Sequence, residues 1–261
     1  MKKITARLII ILALVIGVAI GISVPNPREN GVFEEENPSD AIEICVDTGL
    51  ACTGEETPTE PVVEEETSIL SNTGTLTSAI IQEIKADWFL RTNGNSEWLV
   101  VEYTDLQCPY CKDLHNSRNT EYLLENTLGG NADYVKKHFP KAFHTEALPA
   151  QQILECIAEQ RGEDAFYSAI DAVFKSQDSV SQAVMDEVIL SVGVDADEVA
   201  DCLASGKYRE KIFAHIGEAV GIFDAKYVPS TVIINTVNGE WISYVGNENL
   251  EKVEVELQKI M

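Results

Sequence analysis

The chain has 261 residues, with 43 Asp and Glu against 19 Lys and Arg, and a formal net charge of −24. That balance leaves no basic excess for phosphates and excludes a nucleic-acid binder. Hydrophobic residues make up 45%, so the chain is not disordered as a whole, and six cysteines are too few for a disulfide-stapled miniprotein but suit an oxidising compartment.

Charge divides the chain into a basic-apolar head, an acidic linker and a body. Residues 1–24 carry Lys2, Lys3 and Arg7 and no acid, and the stretch from Leu8 to Val24 is uncharged. As a helix that stretch is about 26 Å long, near the lower limit for a bilayer span. Its positive flank stays on the cytoplasmic side, so the body lies outside. It reads as an uncleaved signal anchor. The alternative is a signal peptide cleaved after Ala19-Ile20-Gly21 or Gly21-Ile22-Ser23, neither of which is a clean A-x-A pattern. Residues 25–70 are rich in Glu, Pro and Thr, with EEE at 34–36 and 64–66. Like charges repel and little apolar surface is present, so this segment reads as a disordered acidic linker. Cys45 and Cys52 lie inside it, spaced for a local loop disulfide without a catalytic role.

The body opens with a helix over Thr75–Lys85, where Leu76, Ile80, Ile81 and Ile84 recur at helical spacing. A short strand is expected over Trp88–Arg91, then a turn at Asn93-Gly94-Asn95. Trp98–Thr104 is nearly continuously apolar, as in a strand buried on both faces. It runs into Asp105-Leu106-Gln107-Cys108-Pro109-Tyr110-Cys111, and a helix is expected from Lys112 to about Leu128. Pro109 fits a first helical position, which puts Cys108 at the cap.

This strand–turn–CxxC–helix pattern is the sharpest chemical signal in the chain. A thiolate is the nucleophile of disulfide exchange, and the free N–H groups of a helix start stabilise it. Cys108 is therefore the expected nucleophile. Cys111, one turn on and more buried, resolves the mixed disulfide. A zinc half-site needs two further ligands, and neither the lone Cys156 and Cys202 nor His115 and His138 offer ligand spacing. Neither a metal nor a cofactor is expected.

Val101-Glu102-Tyr103-Thr104-Asp105-Leu106-Gln107-Cys108-Pro109-Tyr110-Cys111-Lys112 closely resembles the active-site segment of the DsbA-like branch of the thioredoxin superfamily, which includes membrane-anchored bacterial disulfide oxidoreductases. Downstream, His138-Phe139-Pro140 with His144, Glu155–Gln160 and Val228-Pro229-Ser230-Thr231 resemble the family's next strand, helix and cis-proline loop. The loop departs from the family's usual Gly-Thr-Pro. The resemblance covers residues 75–261. It implies an α/β thioredoxin-like fold with strands near 98–104, 132–138, 231–235 and 240–245, and a last helix over 247–260. A helical domain would be inserted at about 146–223, with helices at 149–161, 163–175, 181–191, 195–204 and 206–222, framing a groove for unfolded substrate.

The resemblance also implies roles. Pro109 and Tyr110 shape the active-site turn. Glu102, in place of an edge-facing solvated acid, would sit under the thiols and accept a proton from the buried one. Pro229 in a cis bond would present the Val228 backbone to a substrate strand. Cys156 and Cys202, on apolar helix faces, are either buried free thiols or, in an oxidising compartment, a structural disulfide. His115 and His144 read as packing or solvated residues rather than proton shuttles. The implied activity is oxidation of dithiols in unfolded or reduced exported proteins, with a membrane quinone-linked oxidase restoring the disulfide, in a single-pass protein of the bacterial cell membrane. A reductase or isomerase, or a tethered binding or chaperone module with a structural CxxC, is the alternative. A Cys108 pKa depressed by about three pH units is about 4 kcal/mol, or about 90 mV, which points to a potential above roughly −200 mV. Glu102 would oppose that shift weakly.

Overall fold

A computed structural model describes residues 70–87, 89–91, 96–176 and 180–261. The anchor, Cys45, Cys52 and the turn at 93–95 lie outside them. Among the described residues no helix is long and apolar enough to cross a membrane.

The framework is a five-stranded mixed sheet in the order β1-β5-β4-β2-β3. Its strands are β1 (Leu70–Thr75), β2 (Trp98–Thr104), β3 (Ala132–His138), β4 (Ser230–Asn235) and β5 (Glu240–Val245). β2 and β3 are parallel, and the other neighbours are antiparallel. A parallel pair needs a crossover. Here it is α2 (Pro109–Ser117), α3 (Asn119–Tyr122) and a π-helical turn (Leu123–Thr127). α1 (Ser78–Lys85) precedes β2, and α9 (Leu250–Leu257) follows β5. Between β3 and β4 stand α4 (Ala147–Arg161), α5 (Glu163–Ser176), α6 (Gln182–Val192), α7 (Ala196–Ser205) and α8 (Arg209–Phe223).

Every residue of β2 is buried. Successive side chains of a strand leave on opposite faces. Accordingly Tyr103 donates its hydroxyl to Glu218 on α8 at 2.5 Å, while Glu102 turns the other way, to Thr120 on α3. Helices therefore cover both faces, which is why the strand reads as one apolar run.

Three expectations are corrected. β1 precedes the expected start of the body, and its Leu-Ser-Asn-Thr-Gly-Thr sequence reads as linker. It forms because it covers the edge of β5, where Gly74 lies so close to the Trp241 ring that a Cβ would stand 2.9 Å from it. Of the strand expected at 88–91, the described residues 89–91 show one antiparallel bridge, between Arg91 and Tyr134, with Phe89 instead stacked on Phe166 at 3.7 Å. The helix expected from Lys112 to Leu128 is broken at Arg118, whose φ of 59° ends α2. A left-handed residue with a Cβ costs about 1–2 kcal/mol.

A chain of buried polar groups joins the sheet to α4 and α8. His138 Nε2 meets Glu155 at 3.0 Å, and Lys211 bridges Glu155 at 3.0 Å and Asp87 at 3.6 Å. His215 Nε2 lies 2.9 Å from Asp87, and its Nδ1 accepts the His138 N–H at 3.2 Å. An accepting Nδ1 leaves the ring proton on Nε2, facing Asp87. Burial would raise the Asp87 carboxyl, but His215 and Lys211 hold it well below the usual carboxylate range. Burial pushes His215 below its ordinary 6.5, helped by His138 and Lys137 and opposed by Asp87. Lys137 is itself paired with Glu218 at 2.7 Å.

Cys156 on α4 is bonded to Cys202 on α7, with their Cα atoms 5.9 Å apart. Of the two readings open from sequence, the disulfide is the one observed.

Two outcomes follow for stability. The unfolded state binds more protons than the folded one between the depressed His215 pKa and about 6.5, so stability is full above that range and falls as pH drops through it. Urea unfolding at pH 7 and pH 5 should show the loss, at most about 1.4 kcal/mol per pH unit from this group, and a shallower slope for His215→Asn. Replacing both Cys156 and Cys202 with Ala opens a 46-residue closure and should cost about 2–4 kcal/mol in the same measurement.

Candidate active site

β2 delivers Asp105 to the rim of the sheet, and the chain turns there into α2. Cys108 is the N-cap of α2, with Pro109 at the first helical position. The Cys108 N–H donates to the Asp105 carbonyl at 3.1 Å, and its carbonyl takes the first helical bond from Lys112 at 3.2 Å. Proline lacks the N–H that this position leaves unpaired, so the helix starts without loss. Cys111 lies one turn on and is fully buried, while Cys108 keeps a small exposed edge. Both thiols are free.

The two sulfurs have opposite acidities. Cys108 is pushed down to about 6. The leading cause is the hydrogen bond from the Cys111 thiol, aided by the N–H groups of Cys111 and Tyr110 and opposed by burial and by the Asp105 charge. The helix start contributes as expected from sequence, but it ranks second to the neighbouring thiol. Cys111 is pushed well up, first by burial and then by donating to Cys108. Its Sγ accepts the Asp105 N–H at 3.4 Å. One proton thus serves the pair, held on Cys111 while Cys108 carries the charge.

Val228-Pro229 is a cis peptide, as the resemblance implied. It brings the Val228 carbonyl to 3.6 Å from Cys108 Sγ. Tyr110 between the two cysteines, Tyr227 next to Val228 and Phe143 on the loop after β3 are mostly exposed.

Glu102 is buried, not edge-facing, but its contacts are not thiols. It forms an ion pair with Lys136 at 2.7 Å, its register partner on β3, and accepts from Thr120 and Tyr134, each at 3.1 Å. The acid tied to both cysteines is Asp105, through its backbone, and its charge acts on Cys108; the sequence pattern did not single it out. A short acid between an apolar strand and a capping cysteine was the available signal. Its buried carboxylate accepts from the backbone N–H groups of Gln107 and Lys141, both at 2.7 Å, and meets His144 Nδ1 at 2.8 Å. His144 packs edge-on against Phe143 at 4.4 Å and stays partly exposed, in keeping with the packing or solvated reading, but it also holds the Asp105 carboxylate. His115 does pack, against Phe174, with Asp171 at 3.2 Å, and burial lowers its pKa. Among the described residues no group of His, Cys, Asp and Glu is arranged to hold a metal ion.

The family model described as thioredoxin matches residues 92–250. The chain belongs to the thioredoxin family. Within that family its fold is DsbA-like. The DsbA of Chlamydia trachomatis superposes with a TM-score of 0.54 at 10% identity, over 66% of this chain and 89% of that one. Alpha-DsbA1 of Wolbachia pipientis does so with a TM-score of 0.53 at 19% identity, over 65% and 88%. A periplasmic thioredoxin-like protein of Salmonella enterica serovar Typhimurium gives 0.54 at 14% identity, over 71% and 98%. At these identities the likeness is one of fold, that of DsbA-like thiol–disulfide oxidoreductases. No curated protein matches the chain significantly.

Reduced protein should show a thiolate absorbance that titrates with a midpoint near 6, and Cys108→Ser should abolish it. Cys111→Ser should trap a mixed disulfide when Cys108 attacks a disulfide-bonded peptide, seen as a mass increase on non-reducing gels, because the resolving thiol is gone.

Proposed function

We propose that this protein is a membrane-tethered oxidase of dithiols in exported proteins. A substrate thiolate attacks Sγ of Cys108 in the Cys108–Cys111 disulfide, and Cys111 leaves as thiolate and takes a proton. The second substrate thiolate attacks the substrate sulfur of the mixed disulfide, and Cys108 leaves. Two electrons and two protons pass from substrate to enzyme, less the proton that Cys108 releases above its pKa. A membrane quinone-linked oxidase takes the electrons onward, and the Leu8–Val24 segment holds the enzyme at the bilayer. Unfolded polypeptide is the substrate class, since Tyr110 between the cysteines, Tyr227 beside Val228 and Phe143 beside His144 offer exposed aromatic area. The Val228 backbone beside Cys108 suits strand-like pairing with such a chain.

The observation that carries the direction is the depressed Cys108 pKa. A stabilised thiolate stabilises the reduced enzyme, and that makes the disulfide oxidising. The full three pH units count only above pH 9. At pH 7 the span from about 6 upward counts, about 1.4 kcal/mol or about 30 mV. This corrects the sequence-based 90 mV. The rest of the rise from a thioredoxin-like −270 mV to above about −200 mV must come from how the fold holds the dithiol relative to the disulfide.

Glutathione titration tests both parts. A potential above about −200 mV at pH 7 is expected, and a value near −270 mV would make the protein a reductase. Each proton taken up with the two electrons contributes about 30 mV per pH unit. The slope should therefore halve above pH about 6, where Cys108 no longer takes one up.

A further inference from the structure

Asp105 does more than cap a turn. Its carboxylate is fully buried and accepts three bonds from three places: Gln107 N–H on its own turn, and Lys141 N–H and His144 Nδ1 on the loop after β3. Its backbone N–H reaches Cys111 Sγ, and its carbonyl holds the Cys108 N–H. Both sulfurs and the loop that carries Phe143 are thus tied to one residue.

The donor pattern fixes the ring. A carboxylate oxygen has no proton to give, so His144 Nδ1 is the donor and Nε2 holds the lone pair. The His144 side chain is 18% exposed, so solvent protons reach the ring while Asp105 stays dry. The other charges near this pair are turned elsewhere. The Lys141 ammonium binds the Lys226 carbonyl at 2.8 Å and lies over the Phe139 ring, and Glu146 is exposed and takes the Thr145 hydroxyl at 3.4 Å. The acid whose charge bears on Cys108 is Asp105, and its ring partner is His144.

We propose that Asp105 and His144 are a positioning pair for the dithiol. Asp105 sets a negative charge against the Cys108 thiolate, and His144 sets how much of that charge the sulfur feels. Buried like charges oppose each other, so Asp105 restrains the thiolate and hence the oxidising power. The imidazole, by its hydrogen bond, holds part of that charge and relieves the restraint. The inference rests on Cys108 and Cys111 being a reversible dithiol, but not on the oxidase direction.

The test is the thiolate absorbance titration of the reduced full chain, with glutathione titration of the unsubstituted chain run separately to judge the oxidase reading. Asp105→Asn should lower the Cys108 midpoint by about half to one pH unit and shift the glutathione equilibrium toward reduced enzyme by about threefold to tenfold. His144→Gln removes the ring and its 2.8 Å hydrogen bond to Asp105, and should raise the midpoint. In the double variant the His144 effect should vanish, because the charge it answers is gone. A midpoint unchanged or raised in Asp105→Asn overturns the proposal. So does a His144→Gln effect of equal size with and without Asp105. If Asp105→Asn does not fold, His144→Gln alone decides, and an unmoved midpoint there overturns the proposal.

Discussion

The site depends on one constraint: β2 has no exposed residue, yet it ends where the chemistry starts. A strand sealed on both faces must answer each of its polar groups from within. Glu102 is met by Lys136, Tyr103 by Glu218, and the Thr104 carbonyl by Gln151 of α4 at 2.9 Å. Each contact pins a different element to the same strand. The position of Asp105, and through it of both cysteines, is fixed by those bonds.

Polar burial also explains how an acidic chain keeps its core together. The buried lysines, 136 and 137, are adjacent on β3, so they leave on opposite faces and meet Glu102 and Glu218 respectively. Breaking either pair leaves a charge in an apolar interior, which costs more than the pair contributes. Such pairs give specificity of register more than stability. Glu102 and Lys136 are register partners of β2 and β3, so a slip by one residue would strand both.

The sequence revealed whatever depends on local pattern. Cys108 at a helix cap, Pro109 beside it and the unbroken run of Trp98–Thr104 are properties of neighbouring residues, and they stand as read. The cis bond before Pro229 and the Cys156–Cys202 bond came from family likeness and compartment, not from spacing. What stayed hidden depends on residues distant in sequence. β1 has no strand-like composition and exists because β5 needs an edge partner. Arg118 breaks a helix that periodicity carries through. Glu102 drew attention as an acid in an apolar run, but its partner sits 34 positions away, on a strand whose register no local pattern gives. Asp105 looked like an ordinary turn residue, because Lys141 and His144 reach it only after β3 is laid beside β2.

The bond between Cys156 and Cys202 has a consequence for how the protein comes into being. Closing it removes two electrons from a newly made chain, and α4 and α7 are not fastened until that happens. The chemistry that this bond requires of a new chain, loss of two electrons from a dithiol, is the same chemistry proposed for the Cys108–Cys111 pair.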